Sequence, residues 1–242
     1  MLMKSKGHIP EVLDGLFRTL FSTVYPDCCY LCGERLPRGQ KCLCPSCLRG
    51  LPRATSGPGT DNGIDRRLAG VFPYVKGMTI FNYAPDNSIS LLVKEFKYGN
   101  HPEVAEYLGK VIFQELCFTN FFSGIDCIVP MPIHWTRLMH RGYNQVYHLA
   151  RGLSGESGLP IAQLLKAHRH TSQTHQTLLT RRLNARGKYY AEFKKEYAGR
   201  HLLLLDDVCT TGSTLTAAAE ALLAAYPGAR LSLLTLCATI ST

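Results

Sequence analysis

Residues 202–240 constrain the fold more than any other part of the chain. They read LLLLDDVCTTGSTLTAAAEALLAAYPGARLSLLTLCATI. Four leucines run into two adjacent carboxylates, a turn of small hydroxyl residues around Gly212 follows, and then come an alanine-rich helix and a second apolar segment. Both apolar segments are continuous rather than alternating, which a strand tolerates only where both of its faces are covered. A strand, a helix and a strand of this kind form a parallel crossover unit, so the chain is α/β with a parallel sheet flanked by helices.

Upstream the pattern is consistent with that class. VFPYVKGMTIFNYA predicts two short strands around Lys76 and Gly77, and Ile89, Leu92, Val93 and Phe96 recur at helical spacing behind a cap near Asp86. Helices are expected over about 102–117 and 143–153, with a strand in IDCIVPMPI (125–133) and another near 161–166. The stretch HRHTSQTHQTLLTRRLNARGK (168–188) is polar and without period. At the start of the chain, Val12, Leu13, Leu16, Phe17, Leu20, Phe21 and Val24 fit one amphipathic helix, interrupted by Glu11, Asp14 and Arg18 as neither a signal peptide nor a membrane span would be. PRATSGPGTDNG (52–63) is rich in Pro, Gly and small polar residues and marks a linker. The expected division is a helix with a cysteine module over 1–51, a linker over 52–66 and an α/β domain over 67–242.

The net charge of +9 is concentrated. Between Cys127 and Ala191 there are nine Lys or Arg and one acid, Glu156, so that 9 − 1 = +8 falls in about a quarter of the chain. Such a segment suits a polyanion, either a phosphorylated small molecule or nucleic acid.

Six of the ten cysteines lie within residues 28–47. Cys29-x-x-Cys32 and Cys44-x-x-Cys47, with eleven residues between the pairs, offer four thiolates that can converge on a tetrahedral Zn²⁺. Four sulfurs leave no open position for water, so the zinc would be structural. Cys28 could take the place of Cys29, and Cys42 that of Cys44. Clustered thiols with no export signal point to a reducing compartment, the cytoplasm. Cys117, Cys127 and Cys237 lie among apolar residues and read as core.

The turn after Asp206 and Asp207 has the makings of an anion site. Backbone N–H groups at the start of the following helix point outward, Thr210, Thr211, Ser213 and Thr214 add hydroxyls, and Gly212 lets a phosphate approach the backbone. The absence of a lysine and of any G-x-x-x-x-G-K-S/T motif rules out a nucleoside-triphosphate loop. Carboxylates repel phosphate, so the aspartates need another partner: vicinal hydroxyls, or a hydrated Mg²⁺. A phosphate beside a diol describes a ribose 5-phosphate unit.

LLLLDDVCTTGST resembles the 5-phosphoribosyl-1-pyrophosphate (PRPP) motif of type I phosphoribosyltransferases. Taken with the paired CxxC, EFKYGN (95–100) and VPMPIHWTRLMHRGYNQ (129–145), nearly the whole chain resembles the ComF family, amidophosphoribosyltransferase-like proteins linked to DNA uptake and utilisation. One departure is Cys209, where the motif usually carries an aliphatic residue. The resemblance implies a type I phosphoribosyltransferase fold behind a zinc module. It implies that Asp206 and Asp207 bind ribose hydroxyls and organise Mg²⁺, that Thr210, Thr211, Gly212, Ser213 and Thr214 hold the 5-phosphate, and that Arg137 and Arg141 contact diphosphate. Residues 171–188 would close over the site. Two functions then stand open. One is a Mg²⁺-dependent phosphoribosyltransferase with an unidentified acceptor; the other is a non-catalytic adaptor binding single-stranded DNA or a DNA-uptake helicase. Glutamine-amidotransferase chemistry is not expected, because the cysteines near the N-terminus sit in a metal pattern.

Overall fold

The computed structural model describes residues 27–54, 64–168 and 187–239. The helix expected near residues 10–24 and nearly all of the expected closing segment lie outside the described residues. The chain forms two compact units, Met1–Gly50 and Leu51–Thr242.

Within the first unit, a bridge between Cys28 and Arg35 closes a tight turn in which the Gly33 amide donates to Cys29 O at 2.9 Å. The turn leads back to a short helix, α1 (Pro45–Arg49). Pro45 stands at its first position, where a missing N–H is harmless, and the Cys44 sulfur caps its start.

The second unit is built on a four-stranded sheet. Its strands are β1 (Gly77–Tyr83), β2 (Cys127–Pro130), β5 (His201–Cys209) and β6 (Arg230–Thr239), in the order β1-β6-β5-β2 and parallel throughout. β5 is buried from His201 to Asp207, so the leucine run has no solvent face and needs no alternation. The Thr79 and Thr235 hydroxyls pair at 2.9 Å between β1 and β6, satisfying two polar groups inside the sheet.

The helices that position the site are α2 (Asp65–Leu68), α3 (Ser88–Tyr98), α4 (Pro102–Leu116), α5 (Trp135–Arg141), α6 (Gln145–Ser157) and α7 (Ser213–Ala225). α6 and α7 both pack on β5, and α3 packs on β1 and α4. α4 and α6 touch backbone to backbone: a Cβ on Gly152 would lie 1.8 Å from Glu106 O, and one on Gly109 would lie 2.1 Å from Leu149 O. A short antiparallel pair, β3 (Leu165–Ala167) with β4 (Tyr189–Ala191), packs on α7.

Several local expectations shift. Only one strand forms in residues 71–83, because Val71–Tyr74 turn instead of pairing. The cap expected near Asp86 falls on its neighbour Asn87, whose side chain accepts from the Ser90 amide at 3.0 Å; Asp86 takes φ +60° in the turn before it. The strand expected near 161–166 is divided, with Ile161 bridging to Ile128 and β3 beginning at Leu165. Helix α5 is new. It buries none of its residues, so no apolar periodicity announces it. Residues 52–54 and 64–66, expected within the linker, include packed positions: Ala54 N donates to Ile80 O at 2.8 Å and Ile64 is fully buried. Cys117 is exposed at the end of α4 rather than in the core, whereas Cys127 and Cys237 are buried.

Candidate functional site

The carboxyl ends of parallel strands are where such sheets hold ligands, because helix starts and loops converge there. β5 delivers Asp206 and Asp207 to that edge, 7% and 6% exposed. The Asp207 amide donates to Asp206 Oδ1 at 2.9 Å. Burial, with the Asp207 charge beside it, pushes the Asp206 carboxyl well above its ordinary range. Asp207 is matched by a cation: Lys97 Nζ lies 3.0 Å from its Oδ2, and Gln145 Nε2 donates to the same oxygen at 2.8 Å. Burial lowers the Lys97 ammonium, but the neighbouring Asp207 outweighs it and the net shift is upward.

Immediately beyond β5, Gly212 turns at φ +78° and begins α7 as an N-cap with no side chain of its own, while the Ser213 amide donates to Thr211 Oγ1 at 3.5 Å. Thr211 Oγ1 and Ser213 Oγ lie 3.1 Å apart, and Thr210, Thr211 and Ser213 are exposed while Thr214 is half-buried. α2 holds this loop from behind. Arg67 Nε donates to Thr210 O at 2.6 Å, its Nη2 donates to Thr239 O, and Leu68 packs under Gly212.

RGYNQ (141–145) ties three parts of the unit to this edge. Gly142 ends α5 in the left-handed conformation. The Tyr143 hydroxyl donates to Phe96 O at 2.7 Å, fixing the last turn of α3, which carries Lys97. Asn144 caps α6 and donates to Met131 O at 3.0 Å, just past β2. Gln145 reaches Asp207 and accepts from Arg141 Nη1. Arg141 is thus linked to the acidic pair through Gln145, and it lies over the Tyr98 ring, 5.5 Å from its centroid. Arg137 projects from the exposed α5. Tyr189 on β4 stands near both kinds of charge: burial pushes its phenol up to about 12, Asp206 and Asp207 add to this and Arg137 opposes it.

Sequence reasoning singled out the carboxylates, the loop and the two arginines, but not Lys97, Gln145, Tyr189 or Arg67. For Lys97 a signal existed. It follows Val93 by four residues and Ser90 by seven, on the buried side of α3, where a lysine needs a charge partner.

In the small unit, the sulfurs of Cys29, Cys32, Cys44 and Cys47 lie within 4.8 Å of one another, and Cys32 and Cys44 are 3.8 Å apart. A tetrahedral zinc with S–Zn of about 2.3 Å sets its sulfurs about 3.8 Å apart, so this donor set fits the ion. Cys28 and Cys42 are not among the converging four. Backbone amides of Cys32, Cys44 and Leu31 outweigh burial to bring the Cys29 thiol down to about 6, while the neighbouring Cys44 sulfur and burial push the Cys47 thiol up.

A parallel sheet with an acidic pair and an uncapped hydroxyl loop at its carboxyl edge defines a phosphoribosyltransferase-type domain, and the family profile "Phosphoribosyl transferase domain" matches residues 138–242. The DNA utilization protein YhgH of Escherichia coli O157:H7 is 30% identical over 200 residues, covering 81% of this chain and 83% of that protein. Competence protein ComFC of Bacillus subtilis is 26% identical over 231 residues, covering 92% and 89% respectively. Among solved structures, glutamine PRPP amidotransferase from B. subtilis, complexed with ADP and GMP, aligns at 18% identity with a TM-score of 0.39; the match covers 58% of this chain and 30% of that one. The chain belongs to the ComF family of competence and DNA-utilisation proteins, with a phosphoribosyltransferase domain. Among the described residues, no helix is long and apolar enough to cross a membrane.

Proposed function

We propose that the carboxyl edge of the sheet binds PRPP or a related ribose 5-phosphate ligand, in the service of DNA uptake or nucleotide metabolism. The observation that carries this reading is the juxtaposition of Asp206 and Asp207 with the uncapped start of α7. In this arrangement Thr210, Thr211, Gly212, Ser213 and Thr214 hold the 5-phosphate through amides and hydroxyls. The aspartates bind the ribose hydroxyls, Asp207 as an acceptor and the protonated Asp206 carboxyl as a donor. Arg137 and Arg141 face the diphosphate, where guanidinium binds phosphate oxygens bidentately.

The chemistry such a site supports is displacement of diphosphate at the anomeric carbon, through a transition state of oxocarbenium character. The chain contributes position and electrostatics: the arginines stabilise the charge developing on the diphosphate, and no protein nucleophile is required. Mg²⁺ is a poor match for the acidic pair alone. Asp207 Oδ2 already takes two donors and Asp206 Oδ1 takes one. Six oxygens at about 2.0–2.1 Å are needed, and an ammonium stands alongside. No step is therefore assigned to the metal. In the small unit, Cys29, Cys32, Cys44 and Cys47 hold a structural zinc, a role supported by the fit of their sulfurs to a tetrahedral ion.

Calorimetric titration with PRPP is the test, run on wild type and on Asp206→Asn/Asp207→Asn. Saturable binding lost in the double variant is expected; a folded, zinc-loaded wild type that takes up no PRPP would defeat the reading. A second reading, contact with single-stranded DNA, has its own support. α5 exposes Trp135, Leu138 and Met139 beside Arg137, a pairing of stacking surface and cation that suits a single strand. Its mark would be DNA affinity that falls steeply with salt and with Trp135→Ala.

A further inference from the structure

We infer that Lys97 is the tethered cation of the acidic pair: its ammonium occupies the charge-balancing position beside Asp207 that a divalent metal would otherwise fill, so that this site engages the ribose of its ligand without a metal on the aspartates. The inference rests on the phosphoribosyl reading of the site and assigns a role to a residue outside the phosphate loop.

Three features make Lys97 a built part of the site rather than a surface lysine that happens to lie close. Its side chain is only 18% exposed and Asp207's is 8%, so the pair is shielded from solvent screening. Its carrier is fixed at both ends: Asn87 caps the start of α3, and the Tyr143 hydroxyl holds Phe96 O one residue before Lys97. The oxygen it faces is also held, because Gln145 Nε2 donates to Asp207 Oδ2 from the other side and Gln145 is in turn held by Arg141. Asp207 Oδ2 therefore has its donors in place before any ligand arrives.

Among the described residues, one oxygen of each aspartate takes no hydrogen bond: Asp206 Oδ2 and Asp207 Oδ1. Asp207 Oδ1 can accept from a hydroxyl, and the Asp206 carboxyl, raised by burial and by the Asp207 charge so that it keeps its proton, can donate to one. The two carboxyls do not suit Mg²⁺, which would gain two protein oxygens while standing close to a fixed ammonium in a shielded site, where like charges repel strongly. The geometry selects a neutral diol over a dication.

The test uses the full-length, zinc-loaded protein and two probes, MgCl₂ alone and ribose 5-phosphate, which lacks the diphosphate that would itself carry Mg²⁺. Wild type should bind ribose 5-phosphate equally with and without Mg²⁺. Lys97→Gln should acquire a Mg²⁺ requirement of about tenfold in affinity, and Lys97→Arg should stay insensitive, since it keeps the charge. An equal response to Mg²⁺ in wild type and Lys97→Gln would overturn the assignment. Mn²⁺ titration of the wild type, followed by water-proton relaxation, gives an answer even where Lys97→Gln fails to fold. No uptake at the acidic pair at millimolar Mn²⁺ is expected. Uptake that disappears in Asp206→Asn/Asp207→Asn would overturn the proposal. If wild type binds neither PRPP nor ribose 5-phosphate, the phosphoribosyl reading falls, and the metal titrations still report on Lys97 separately.

Discussion

At Gly212 two demands meet. The backbone takes φ +78°, and a Cβ there would lie 2.6 Å from Leu68 Cδ2. Gly212→Ala should therefore cost about 1–3 kcal/mol in a denaturant titration, from backbone strain and overpacking together. It should also weaken PRPP binding, because relief of the contact moves the loop. Asp206 carries a different signature. Its carboxyl is raised in the fold, so the folded state keeps a proton that the unfolded chain releases above its ordinary value of 3.8. With more protons bound in the folded state, stability falls as pH rises from that value toward the raised one. Melting temperatures measured between pH 5 and 8 should decline, and Asp206→Asn should flatten the decline. A steeper fall in the variant would contradict this account of the buried carboxyl.

Among the helices, α4 and α6 meet backbone to backbone. Gly109 and Gly152 let the two backbones touch, and the 1.8 Å approach of a Gly152 Cβ to Glu106 O leaves an alanine no room. Gly152→Ala should destabilise the second unit by at least about 1–3 kcal/mol and displace α6, the helix that begins with Gln145. Tyr143→Phe tests the adjoining clasp more gently. Losing one hydrogen bond to Phe96 O should cost about 1 kcal/mol, and the freed end of α3 should raise the salt sensitivity of any ligand binding that depends on Lys97. Element existence was largely legible from apolar patterning: the leucine run of β5, the Ile89–Phe96 stripe of α3 and the alanine-rich α7 all announce themselves locally. α5 did not. A helix that buries no residue leaves no stripe, and its residues read equally well as loop. The divided strand near 161–166 was blurred for a related reason, since Ile161 and Leu165 join different sheets within five residues.

For the molecule as a whole, the two units draw stability from different sources. The described part of the first unit spans fewer than 30 residues, too few for a hydrophobic core to suffice without a staple, and its four converging sulfurs are placed to hold a metal that would supply one. One zinc per chain is the expected stoichiometry by elemental analysis. Cys44→Ser or strong chelation should remove it and expose residues 27–50 to proteolysis, whereas Cys28→Ser should leave the metal in place. Retention of zinc in Cys44→Ser would mean that the ligand set differs from the converging four.

What the sequence by itself determined is what neighbours along the chain can determine. Asp206, Asp207 and Thr210–Thr214 all lie between residues 206 and 214 on one strand–turn–helix, and each CxxC makes its own turn, so composition and spacing sufficed to group them. The tertiary structure alone decided which distant residues complete the site. Lys97 at the end of α3, Gln145 at the start of α6 and Arg67 on α2 reach the end of β5 only because a parallel sheet gathers its carboxyl ends and the turns beyond them on one edge. Whether a buried carboxylate is answered by a lysine, an amide or a metal is set by that gathering, since periodicity records which face of an element is buried but not what it meets there.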